Sequence, residues 1–202
     1  MNTAPHKYLG LGLLVLVTLA PSTGQSAQAD VPAPSPAAVV MRGGTPEEEE
    51  LLGWAIDRYE TAGLVLPPIV IRFHADQTVC GDLEGFIGWD GETFVIETCR
   101  AAGRALQHNL LHEMAHAWDL GGGLTDEARG RFLGLRGLRA WHELTDDWSR
   151  RGAEQMAEIL AWGLDAAPSR IPTRVADVGP QDDASLTTAF ETLTGRLPLW
   201  SA

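Results

Sequence analysis

Apolar positions along this chain fall into two rhythms, and the rhythms predict the elements. Leu51, Leu52, Ala55, Ile56 and Tyr59 follow the three-to-four spacing of a helix face. The predicted helix starts at Thr45-Pro46, where Thr45 caps and Pro46 suits the first turn. The four glutamates at residues 47–50 then sit at the positive end of the helix dipole, which explains them better than a metal-binding cluster does. The helix should end near Gly63. Past Pro67-Pro68, residues 69–73 read as a short buried strand. Residues 86–89 and 93–97 flank Asp90-Gly91, a strong hairpin turn signal.

From about residue 100 the helical rhythm takes over. One helix is predicted over 101–120, stopped by Gly121-Gly122-Gly123. Another is capped by Thr125 and runs to about 138, a third spans 152–164, and a last one spans 183–193. Residues 166–181 are Pro-rich and predicted irregular, and residues 31–44, rich in Pro, Ala and Gly without periodicity, a linker or disordered arm. The order of helix, strands, then helices predicts one α+β domain over residues 45–202.

The first 29 residues stand apart from that domain. Lys7 precedes an apolar run over residues 9–20, and Ala27-Gln28-Ala29 offers small residues for cleavage before Asp30. This reads as a signal peptide, with an uncleaved anchor as the alternative. A secreted or extracytoplasmic protein follows, with no stable membrane association once the signal is removed. In an oxidising compartment Cys80 and Cys99 are expected to pair, the alternative being two buried thiols. Across 202 residues, 15 basic against 27 acidic side chains leave a formal charge of −12. That sign argues against nucleic acid as a partner.

The chemistry concentrates in His112-Glu113-Met114-Ala115-His116. Histidines at i and i+4 stand one above the other on a helix, so both can reach one ion. Glu113 projects beside that stripe, where it can serve a metal-bound water as general base without being a ligand. Leu106, Leu110 and Met114 make the same helix apolar, and burying two imidazoles and a carboxylate there is costly unless a metal compensates. A metzincin pattern would continue with Gly and His where this chain has Asp119 and Gly122, so that class is excluded. Glu154 and Glu158, four apart on one helix face, provide the better candidates for completing the site, with Asp119, Asp126 and Glu127 as weaker rivals.

With those two motifs, the chain resembles the gluzincins, the thermolysin-like branch of the HExxH zinc peptidases. The resemblance covers the layout of roughly residues 69–164, but its identity rests on two short motifs. It implies a zincin-like domain with a small, mostly antiparallel sheet, an active-site helix and a C-terminal helical part. It implies one Zn2+ per chain on His112, His116 and Glu154, with Glu113 as general base. Glu158 then accepts from the non-coordinating nitrogen of His112. A peptide or protein is the implied substrate, aligned along the strand at 93–97, which zincins place at a sheet edge; the enzyme is expected to act as a monomer. The chain departs from the family in having no His after Glu154 and no suitable Tyr to stabilise the oxyanion. His142, Arg150 and Arg151 are the possible substitutes. A non-catalytic zinc-binding protein and a zinc hydrolase for a non-protein substrate are the alternative readings.

Overall fold

A computed structural model of the chain describes residues 39–99, 103–142, 147–165 and 179–201, all within one compact unit. The predicted signal peptide over 1–29, and most of the Pro-rich segment after 165, lie outside the described residues. The architecture is α+β: strand β1 (Val39–Arg42), helix α1 (Pro46–Thr61), strands β2 (Ile69–His74), β3 (Gly85–Trp89) and β4 (Phe94–Cys99), then helices α2 (Arg104–Trp118), α3 (Asp126–Arg136), α4 (Gly152–Leu164) and α5 (Asp183–Thr194).

The sheet differs from the expected mostly antiparallel one. Its order is β1-β2-β4-β3, with β1 and β4 both parallel to β2 and only β3 antiparallel to β4. Two physical causes account for the difference. Residues 39–42, expected to be part of a linker, pair as a strand with β2 from Val39 opposite Ile69 to Arg42 opposite Arg72. The hairpin at Asp90-Gly91 then turns β4 inward, so that β4 takes the centre and β3 the edge. Within that turn Asp90 Oδ1 accepts from the amides of Glu92 and Thr93 at 3.0 and 2.9 Å, and Gly91 adopts φ 105°. The edge strand is therefore β3, not the 93–97 segment expected there. The unbroken Ile69-Val70-Ile71 run is what a strand flanked by parallel neighbours requires.

Ile69, Ile71, Phe73 and Ile96 face the helices and form the sheet side of the core. Against them packs α1, whose Thr45 cap is reciprocal: the amide of Glu48 donates to Thr45 Oγ1, and Glu48 Oε2 accepts from the Thr45 amide. Tyr59, fully buried on α1, donates its hydroxyl to the carbonyl of Leu111 at 2.8 Å and so pins α1 to the middle of α2. Below, α4 is buried at every residue except Glu154 and packs against α2 and α5, with Met156 and Leu160 in the core. The disulfide Cys80–Cys99 joins the loop before β3 to the end of β4. Among the described residues no helix is long and apolar enough to cross a membrane.

Candidate metal centre

Helix α2 buries Leu106, Leu110, Leu111 and Met114 in the core and carries Asn109, His112, Glu113 and His116 along the opposite stripe. It faces α4 where Glu154 and Glu158 project. His112, His116 and Glu154 come together as a group able to hold a metal ion. Nε2 of His112 lies 3.1 Å from Nε2 of His116, and each lies 3.3 Å from Oε2 of Glu154. A tetrahedron built on metal–ligand bonds of about 2.05 Å has an edge of about 3.3 Å, so three of its corners are in place. Two imidazole nitrogens aimed at each other and at a carboxylate can share a proton or close on a metal ion.

Glu158 sits one turn further along α4, with its side chain 1% exposed. Its Oε1 lies 3.1 Å from Nδ1 of His112, and among the described residues neither atom has another partner. Its Oε2 accepts from Nε2 of His108 at 2.9 Å. Burial opposes a charge on His112, but the carboxylates of Glu154 and Glu158 override it and push the imidazole pKa up to about 10. Burial likewise raises Glu158, yet its bonds from His108 and His112 bring it down to about 2. Glu154, opposed by burial in the same way, is held below the usual carboxylate range by the two histidines. Without a metal, then, the cluster is a buried ion-pair network with a proton where a metal would sit.

The rival carboxylates are engaged elsewhere. Past Trp118 the motif helix widens into a π turn over Asp119–Gly123, earlier than its expected end near residue 120. That turn buries Asp119, which accepts from Arg129 at 2.7 and 3.0 Å on one oxygen and from the Trp141 indole at 2.9 Å on the other. Asp126 and Glu127 lie on the exposed start of α3, paired with Arg129 and Arg131.

The triad opens into a cleft of about 730 Å³. Gly85, Phe86 and Ile87 of β3 form one wall, while Trp148, Arg151 and Glu154 line another. Trp148, on the short 3-10 turn before α4, stacks on the His112 ring with centroids 5.8 Å apart and planes 20° from parallel. Glu113 is buried beside β3; a Cβ at Gly85 would lie 3.3 Å from its Cγ. Of the three basic residues considered for the oxyanion, His142 and Arg151 line the cleft and Arg150 does not. Among the described residues the buried Arg151 Nε has no hydrogen-bond partner. His108 and Trp148 escaped the sequence reading. For His108 the signal was present, because positions 108, 112 and 116 repeat every four residues opposite the Glu154/Glu158 pair.

Comparison of the chain with protein-family models, curated proteins and solved structures finds no match.

Proposed function

We propose that this chain is an extracytoplasmic zinc-dependent endopeptidase of the gluzincin kind, with His112, His116 and Glu154 as metal ligands and Glu113 as general base. The observation that carries the reading is the triangle of ligand atoms at tetrahedral spacing, set beside Glu113 in an open cleft. The donor set of two imidazoles and a carboxylate suits zinc and leaves one corner open, as a catalytic site requires. Bound there, zinc would polarise a carbonyl and lower the pKa of water.

The chain's own residues supply the rest. Glu113 takes the proton of the attacking water and passes it to the leaving amine. Glu158 holds His112 in the tautomer whose Nε2 faces the ion. Strand β3, outermost in the sheet and lining the cleft, offers main-chain groups to an extended peptide. Arg151 takes the place of the missing His or Tyr, since it lines the cleft and its buried Nε donor has no partner among the described residues. The disulfide fits an oxidising compartment.

Metal analysis together with cleavage of denatured casein, on wild type and Glu113→Gln, tests this. The expected result is one zinc per chain in both and cleavage by wild type alone. Zinc without cleavage by the wild type would point instead to a non-catalytic zinc protein or to a non-protein substrate.

A further inference from the structure

We propose that His108 is a positioning residue of the metal centre: it locks the Glu158 carboxylate, which in turn fixes the His112 imidazole for metal binding. This inference rests on the reading of His112 as a ligand. It starts from the sharing of Glu158 between two histidines, Oε2 toward His108 at 2.9 Å and Oε1 toward His112 at 3.1 Å. The carboxylate is 1% exposed, so water cannot readily replace either partner, whereas the His108 side chain is 34% exposed and is the outer end of the chain of contacts. A buried carboxylate with a single donor is free to turn about its last bond; with donors on both oxygens it has one orientation.

That orientation decides which nitrogen of His112 carries hydrogen. An Nδ1–H directed at Oε1 leaves the Nε2 lone pair for the ion, and Nε2 is the atom that faces His116 and Glu154. The positions 108, 112 and 116 fall on one stripe of α2, and 154 and 158 on one stripe of α4, so a single helix–helix packing sets every distance in the series. Removing His108 leaves Glu158 Oε2 buried without its donor and the His112 tautomer unsupported.

The test is metal titration of the full chain, in wild type, His108→Ala, His108→Gln and His116→Ala, with zinc and with cobalt as a spectroscopic substitute. His108→Ala should retain one site per chain with affinity about 10–100-fold weaker and with shifted cobalt visible bands. His108→Gln, whose amide can donate to Oε2, should recover most of the affinity and the wild-type spectrum. If His116→Ala abolishes binding while His108→Ala binds zinc as wild type does, with an unchanged spectrum, the positioning role falls and the metal site stands. If wild type binds no zinc, both fall. A second zinc per chain that disappears in His108→Ala would also overturn the proposal, because His108 would then be a ligand.

Discussion

Gly85 on the edge strand is where a single methyl group should separate catalysis from metal binding. A Cβ there would meet Asn109 Nδ2 at 2.7 Å, the Glu97 carbonyl at 3.0 Å and Glu113 Cγ at 3.3 Å. Ordinary contacts fall at about 3.5–4.0 Å, so the neighbours must retreat by roughly 0.8 Å on the Asn109 side. Asn109 cannot yield freely, since its amide donates to the Glu84 carbonyl and Thr98 Oγ1 at 3.2 and 3.3 Å. It lies one turn before Glu113 on α2, so the displacement is shared with the proposed general base. Overpacking of this kind costs about 1–3 kcal/mol of stability. A misplacement near 1 Å in a catalytic group costs on the order of 100-fold in rate. Gly85→Ala should therefore keep its zinc, melt a few degrees lower and lose between 10- and 100-fold in kcat/KM on a casein-derived peptide, mostly in kcat. Full zinc with unchanged turnover would refute the placement of Glu113 against β3, and loss of zinc would show that the strain falls on His112 instead.

Four further outcomes follow from the structure. Glu154→Ala should nearly abolish zinc binding at micromolar levels, whereas Glu158→Ala should weaken it only about 10–100-fold; zinc titration showing the reverse order would exchange their roles. In the metal-free protein His112 holds its proton up to a pKa of about 10, so zinc uptake at neutral pH should release close to one proton and weaken as pH falls, which calorimetry in buffers of different ionisation heat reads directly. For the same metal-free state, the raised pKa of His112 contributes stability below about pH 6.5 that is lost as pH rises toward 10. The lowered pKa values of Glu154 and Glu158 contribute stability above about pH 4.5 that is lost on acidification, so melting in chelator should peak between those limits. Reducing Cys80–Cys99, which closes a separation of 19 residues, should cost about 3 kcal/mol in denaturant unfolding while leaving the ligand helices in place.

What could be read from the sequence was local. The Thr45-Pro46 start of α1, the Asp90-Gly91 turn, α4 at 152–164 and the Cys80–Cys99 pair are each set by residues within a turn or two, or by the scarcity of partners, and each stands as expected. What stayed hidden was set at a distance. Residues 39–42 become a strand only because β2 offers a parallel edge, and nothing in Val39-Val40-Met41-Arg42 separates them from the Pro-rich residues before them. Which hairpin strand becomes the edge depends on where β4 docks, which no spacing encodes. Asp119 could be weighed as a ligand because its actual partners, Arg129 and Trp141, come from later segments that the π turn brings to it. The motif pair on α2 and α4 was legible as two four-residue repeats; that Glu158 also binds His108 depends on how the helices cross.

The central claim is that one zinc ion occupies the triangle formed by His112 Nε2, His116 Nε2 and Glu154 Oε2. Anomalous diffraction at the zinc edge, from crystals of protein grown with stoichiometric zinc, tests it without reference to any substrate. One peak per chain is expected, at about 2.0–2.2 Å from all three atoms and farther from Glu113 and Glu158. A peak centred instead between His108 and Glu158, or no zinc within bonding distance of Glu154, would contradict it.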